Sequence, residues 1–532
     1  MTRKLQINDP AVFSDSTNVQ SSRLASSSLL ARNATLNLVT EGWVFLVLIA
    51  TMPKLVAFLG ETSFGLFSLA WVVIGYLSFL DIGVNRAATK FVSEHLAGQD
   101  DASVREVVRT AFVTNLALGV AGGLLVVLAS PYLLHSAFKV SGSLSSQARL
   151  AFYAVALAVP VLLVQGIFRA VLSSYQRFGW INSVNAVTIT AQWGVAALLA
   201  WKGYGVALVV FATVIARLIA TAAYGLLLRR ILPDLQLFRA KMGGLSKLLK
   251  FGGWVSVSQI ISPVLVYLDR MLIASFISLG AVTLYAVPYE MMTRLRIIPS
   301  SLVTTLYPAF SERGTGGQEA NLQRLYEGSV RYLLLLVVPA IVFLVVLGPD
   351  LLTIWMGASF AKQTSVVLQI LGIGVLLNCM ANVPYNALQA LGRPDLTGMF
   401  HLLELPFYGV LCVFLIPRWG IDGAALANSI RISVDALLLF WAARKYCRCS
   451  IGPFWAGMLP RIFVLNAILA GVLVSVRLSV TSNSWARLGA GIVATGIYFL
   501  AVWTMAITEN EKPRISQALR TSSRQPAREG VS

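Results

Sequence analysis

Eleven charged side chains lie well inside the apolar stretches of this 532-residue chain: Glu41, Lys54, Arg217, Asp269, Arg270, Glu290, Arg294, Arg296, Glu404, Arg431 and Asp435. These types suit electrostatic work: holding an anion, accepting a cation or proton, or bracing one helix against another. They form no convergent acid–base set for bond-making chemistry. Each charge costs about 2.5–3.5 kcal/mol at the centre of an isolated helix in lipid, so each must face protein or water.

Spacing sorts them. Glu290 and Arg294 are four apart, as are Arg431 and Asp435, so each pair shares a helix face and can be satisfied in place. Asp269 and Arg270 are adjacent in "SPVLVYLDRMLIASF" (262–276). Helical neighbours diverge by about 100°, so each needs a partner on another helix or on a ligand. Lys54, Arg217 and Arg296 have no acid at helical spacing and are candidates to meet an anion. Lys54 follows Pro53, which breaks the backbone ladder; its other reading is a side chain snorkelling to the outer interface. Amides add to the set: Gln165, Gln176, Gln259, Asn378, Asn382, Asn386 and Gln389. The three asparagines recur every fourth residue along one face, which suits a sugar or hydrogen bonding between helices.

These groups are positioned by membrane-spanning helices. The chain is 57% hydrophobic and 12% charged, against about 25% charged in soluble domains. Fourteen runs approach the length that crosses a bilayer: 34–58, 64–85, 110–130, 150–168, 182–201, 206–228, 251–277, 280–308, 332–348, 364–390, 398–416, 421–443, 462–476 and 486–507. Seven of the eleven charges fall on the first, seventh and eighth spans, and Asp81 sits at the inner end of the second.

The net charge of +19 reports orientation. With the N-terminus in the cytosol, only Lys139, Arg149, Lys202, Lys362, Arg418, Arg477 and Arg487 of the 42 Lys and Arg fall outside. That asymmetry follows the positive-inside rule, and no compact basic fold remains to bind nucleic acid. Cys379, Cys412, Cys447 and Cys449 give no disulfide framework and no metal spacing. No cleavable signal opens the chain. The longest stretches outside the membrane, 231–250 and 309–329, hold no soluble domain and no phosphate-binding loop. Neither cofactor nor metal is implied.

The chain also repeats. "LLARN" (29–33) and "LLKFG" (248–252), "FVSE" (91–94) and "AFSE" (309–312), "GVAL" (205–208) and "GAAL" (423–426) echo at offsets of 218–219 residues. Six spans per repeat give parallel repeats, which build transporters with a site between the halves. The expected organisation is a cytosolic tail (1–32), a six-helix lobe (33–230), a basic linker (231–250), a second lobe (251–446), two additional helices (447–507) and a cytosolic tail (508–532).

"GLFSLAWVVIGYLSFLDIGVNRAATKFVSE" (65–94), "YLDRMLIASFISLGAVTLYAVPYEM" (267–291) and "ALQALGRPDLTG" (387–398) resemble Wzx-type polysaccharide flippases of the multidrug/oligosaccharidyl-lipid/polysaccharide (MOP) exporter superfamily. The landmarks are the Asp-x-Gly after span two, the Asp-Arg of span seven, the Gly-x-x-x-x-Tyr opening span eight and the Leu-Gly-Arg-Pro after span ten. The resemblance implies an all-α protein of two lobes in a V, with spans one, two, seven and eight nearest a cavity. It also implies alternating access that carries an undecaprenyl-diphosphate-linked oligosaccharide across the bacterial inner membrane. Arg270, Arg294, Arg296, Arg217 and Lys54 would then meet the diphosphate, with Asp269, Glu290, Glu41 and Asp435 as counter-charges or ion-coupling sites. A polysaccharide polymerase and a chain-length regulator are the expected protein partners. The in-span balance of six bases to five acids gives a cavity that is not overwhelmingly cationic. A cation-coupled multidrug antiporter is the alternative; the unpaired bases and fourteen spans argue against it. A membrane polymerase or ligase would need a large outer loop bearing acids or His, and the outer loops are short.

Overall fold

In lipid, a continuous apolar run must close its own backbone hydrogen bonds, and a helix does so within one segment. The computed structural model describes the backbone of residues 27–505 except 82, 141, 143, 240–244, 300–318, 392, 448, 450–458 and 481–482. Every regular element among the described residues is helical. Most of both expected tails, the end of the eighth span beyond 299 and the Gln259 side chain lie outside the described residues.

The first half comprises α1 (Ser27–Leu59), α2 (Glu61–Leu77), α3 (Val84–Ala97), α4 (Asp101–Tyr132), α5 (Leu144–Ser174), α6 (Phe178–Trp201) and α7 (Val206–Ile231). The second comprises α8 (Leu245–Phe276), α9 (Leu279–Thr293), α10 (Glu319–Met356), α11 (Ala358–Ala390) and α12 (Pro394–Tyr446). α13 (Leu459–Ser479) and α14 (Ser484–Met505) follow. Eleven helices among the described residues are long and apolar enough to cross a membrane, counting α12 once. α12 breaks at Gly420 (φ 59°, ψ −135°) and so supplies two spans. With its second limb, α8 and α9, the described helices match the fourteen expected spans in number.

Of the boundaries that differ from the sequence reading, three change the architecture. α8 begins at Leu245 and α10 at Glu319, so both helices project beyond their apolar runs into stretches expected to be loops. The second span was drawn to residue 85, but α2 ends at Leu77. A short 3-10 turn (Ser78–Asp81) and Gly83, at φ 69°, then redirect the chain into α3. Only glycine takes that left-handed conformation without steric cost. The Asp81 carboxylate receives the Asn85 backbone N–H at 3.1 Å, satisfying a donor at the start of α3. α3 buries Val84, Ala87, Ala88 and Val92 and crosses nothing.

The repeat read from the sequence echoes is present in the packing. α1 lies on α6 as α8 lies on α12; α4 on α5 as α10 on α11; α5 on α7 as α11 on α12; α2 on α5 as α9 on α11. The halves meet where α2 packs on α9 and α8. At the Gly60 end, Thr283 Oγ1 donates to the Glu61 carbonyl at 2.6 Å, and Trp355 Nε1 to the Ile49 carbonyl at 2.7 Å. A Cβ at Gly65 would run into the Leu279 carbonyl, so glycine lets the two backbones touch there. α13 and α14 pack on α10. Buried Asp350 ties them down, accepting Arg487 Nη1 at 2.7 Å and Ser484 Oγ at 3.0 Å.

Candidate functional site

A cavity of about 1120 Å³ lies between the halves, lined from α1, α2, α6, α7, α8, α9, α10 and α11. Among the described residues its charged lining consists of Glu41, Arg217, Arg270, Glu290, Arg294 and Arg296, two positive charges in excess. These six are expected site residues, brought together from five segments.

Their pairing is unequal. Glu290 on α9 accepts Arg270 Nη2 at 3.2 Å and Arg294 Nη2 at 3.4 Å, so one carboxylate serves two guanidinium groups. Arg270 is also sandwiched by rings, 4.6 Å from the Tyr289 centroid and 5.6 Å from that of Tyr267. Such stacking holds a guanidinium in place without neutralising it. Arg217 reaches from α7, 5.4 Å over the Trp71 ring, with Nη1 at 3.5 Å from Gln165 Oε1. Neither Arg217 nor Arg296 has a carboxylate within salt-bridge distance among the described residues, and Arg296 is exposed. The rest of the wall is mostly apolar and aromatic, including Phe64, Phe67, Trp71 and Trp193, with Ser68, Gln192, Thr293 and Asn382 as uncharged polar groups. A few convergent polar groups in an apolar wall is the usual make-up of a small-ligand site.

Three expected site residues stand elsewhere. Lys54 is exposed on α1 and is not part of the lining, as its snorkelling alternative requires. Asp269 is fully buried: Oδ2 accepts the Tyr285 hydroxyl at 2.5 Å and Oδ1 the Arg270 backbone N–H at 2.7 Å, with Tyr408 close by. It braces the second half from inside and does not line the cavity. The adjacent-residue geometry accounts for both fates: α8 turns Arg270 to the cavity edge and Asp269 to the interior. Asp435 is likewise buried. The expected ion pair between Arg431 and Asp435 is replaced by one across the Gly420 break, Arg431 Nη1 to Glu404 Oε2 at 3.1 Å. A broken helix folds its limbs together, so a partner 27 residues away outcompetes one at i+4.

Sequence spacing missed the resulting cluster. His401, Glu404 and Asp435 bring three ligand-type atoms within 4.8 Å of one another, with His401 Nδ1 3.7 Å from Glu404 Oε1. The Arg431 guanidinium already supplies a cation to this group. The i+3 spacing of His401 and Glu404 was the available signal. The expected amide face on α11 turns inward on itself: Asn382 Nδ2 donates to the Asn378 carbonyl at 2.9 Å and Asn386 Nδ2 to the Asn382 carbonyl at 2.7 Å. These bonds lie within one helix, not between helices. Of the three, Asn382 lines the cavity. Gln389 does cross between helices, to Thr397 Oγ1 at 3.1 Å, while Gln176 sits in the turn after α5 with φ 56°.

With this geometry described, known proteins can be compared. The family described as "Polysaccharide biosynthesis protein" matches residues 30–313. A Shigella flexneri protein that carries the name of an O-antigen transporter is 27% identical over 425 residues, covering 79% of this chain and 98% of its own. A Haloferax volcanii protein named as a low-salt glycan biosynthesis flippase is 23% identical over 442 residues, covering 82% and 87%. Among solved structures, the lipid II flippase MurJ in an inward closed conformation superposes with a TM-score of 0.62 at 13% identity, covering 86% of this chain and 98% of that one. An inward-facing multidrug resistance MATE transporter of the MOP superfamily gives 0.62 at 14%, covering 77% and 97%. These two likenesses establish the fold. The family match covers more than half of the chain, and the motifs at 65–94 and 267–291 contribute residues to the cavity lining: the chain belongs to the polysaccharide biosynthesis protein family.

Proposed function

We propose that this protein moves an undecaprenyl-diphosphate-linked oligosaccharide from the cytosolic to the outer leaflet of the bacterial inner membrane by alternating access. The observation that carries the reading is the charge of the cavity wall, four arginines against two glutamates, with Arg217 and Arg296 free of carboxylate partners among the described residues. A diphosphate and its sugars cannot enter hydrocarbon unaided, because polar groups stripped of water cost several kcal/mol each. A wet, cationic passage between two bundles removes most of that barrier, and the polyprenyl tail stays in lipid. Arg217, Arg270, Arg294 and Arg296 hold the diphosphate. Glu290 and Glu41 serve as counter-charges that exchange partners when the anion arrives or leaves. Asp269 and Asp435 act from the interior of the second half.

Both termini are cytosolic in this reading. The Gly60 end, where Thr283, Trp355 and Gly65 join the halves, then faces outward and opens when the lobes rock. A polymerase and a chain-length regulator would use the delivered unit. The positive wall speaks against the alternative of a cation-coupled drug antiporter, since like charges repel a cationic drug. The test is Arg296→Ala in a deletion strain. Arg296 is exposed and holds no ion pair among the described residues, so the variant inserts normally. Surface polymer should fall by about tenfold, the effect of losing one charge-assisted contact. Normal surface polymer from Arg296→Ala and from Arg217→Ala would refute the assignment.

A further inference from the structure

A second cavity, of about 520 Å³, adjoins the first at the Asp81 end. The two share Trp71, Ile74, Gly75, Arg217 and Tyr267. Between them, Gly75 of α2 lies against the Tyr267 ring so closely that a Cβ would overlap it. Among the described residues, Arg217 is the one guanidinium lining the smaller chamber and Asp81 its one carboxylate. The smaller chamber is therefore balanced where the larger is positive.

Its polar groups are held before any ligand arrives. Asn115 on α4 is fully buried and spends its amide on Asp81 Oδ1 at 3.1 Å, Asn85 Oδ1 at 3.3 Å and the Leu163 carbonyl at 3.1 Å. Asp81 Oδ1 also accepts the Asn85 backbone N–H. The Asn85 amide is pressed against α5 where Gly166 leaves no side chain; a Cβ there would strike it. A carboxylate offers about four acceptor positions and an amide both donors and an acceptor. After the internal bonds, Asp81 and Asn85 keep hydrogen-bonding capacity on the chamber wall. The rings of Trp71 and Tyr267 supply flat apolar walls, and the volume is that of a small-ligand site.

We infer that this chamber reads the sugars of the substrate: it takes hydroxylated, neutral or amino-bearing pyranose residues on Asp81, Asn85, Trp71 and Tyr267, while the arginines next door take the diphosphate. The inference rests on the function proposed above and adds to it a division of labour. Arg217, shared by both chambers, sits where the sugar–phosphate junction lies, and Gly75 is glycine so that Tyr267 can close between them. A diphosphate placed in the small chamber would meet Asp81; a neutral sugar placed among the arginines would leave their charge unanswered.

The experiment measures binding to the purified full chain in lipid nanodiscs with two probes: undecaprenyl diphosphate without sugar, and the glycosylated lipid fraction extracted from a strain deleted for this gene. Asn85→Ala removes a sugar contact. Ser262→Phe fills the chamber from α8 without removing any partner, and carries the test where Asn85→Ala fails to fold. Each variant should weaken the glycosylated lipid by about tenfold, as for loss of one hydrogen bond to a polar ligand, and leave undecaprenyl diphosphate unchanged. Arg296→Ala should weaken both. Equal weakening of both probes by the chamber variants, or no change in either, overturns the division of labour alone. Wild-type protein that binds neither probe overturns the functional reading beneath it.

Discussion

The cavity wall and the interior of the second half handle charge in opposite ways. The wall holds four arginines to two glutamates, and two of those arginines have no carboxylate partner among the described residues. The interior holds Asp269, Glu404 and Asp435 against Arg431 and His401, drawn together by Tyr285 and the two limbs of α12. Positive charge left unanswered at a wet surface costs little and is available to a ligand. Charge in a dry interior must be answered by the protein itself, and removing one partner there strands the others. The wall thus suits the binding proposed above, and the interior suits holding α8, α9 and α12 in one arrangement. Arg270 sits on the border, with Asp269 behind it and Glu290 in front.

The sharpest way to break this contrast is inside. Asp269→Ala leaves the Tyr285 hydroxyl and the Arg270 backbone N–H without their acceptor and removes the negative charge behind Arg270. Loss of one member of a buried charged set typically costs about 3–5 kcal/mol. The expected result is a large fall in thermal stability in detergent, with little folded protein recovered. Stability close to wild type would place Asp269 in water and dissolve the distinction between the two regions.

Gly65→Leu comes next and probes the junction of the halves. A side chain there meets the Leu279 backbone, which cannot move without shifting α9. Overpacking of this kind costs about 1–3 kcal/mol. The cost falls on the joined arrangement of the Gly60 ends, so a cysteine pair placed across α2 and α9 should cross-link more slowly than in the wild type. Unchanged cross-linking would mean that the halves do not separate there. Glu290→Gln is milder still for the fold, since Arg270 keeps its rings, yet it leaves four arginines on the wall with one glutamate. Anion binding should tighten and release slow, seen as a lower transport rate with undiminished binding of undecaprenyl diphosphate.

The span count, the parallel repeat and the gathering of charge near α1, α8 and α9 were legible because hydropathy and insertion cost act on the sequence directly. The pairing of charges was only partly legible. Glu290 and Arg294 pair as spacing requires, because α9 is continuous between them. Arg431 abandons Asp435 for Glu404 because the break at Gly420 brings a distant limb alongside, and a break of that kind sets tertiary neighbours, which periodicity does not report. The whole-chain tally of six bases to five acids concealed the positive wall for the same reason: three of the five acids retreat into the interior, and only the fold reveals which. Asn85 and Asn115 carried no sequence signal beyond following the Asp-x-Gly motif and lying on an apolar helix.

The smallest effect is expected at Lys54, and it tests the wall from outside. Lys54 has the same sign as the cavity arginines and lies on α1, which also supplies Glu41 to the lining. If proximity to a cavity-lining helix were enough, Lys54→Ala would reduce transport as Arg296→Ala does. But Lys54 is exposed and not part of the lining, and exposed substitutions away from special features change stability by no more than about 0.5 kcal/mol. Surface polymer and thermal stability should therefore both match the wild type. A clear transport defect in Lys54→Ala, with stability intact, would extend the binding wall around α1 toward the Gly60 end, and the boundary drawn here between lining and lipid-facing charge would have to move with it.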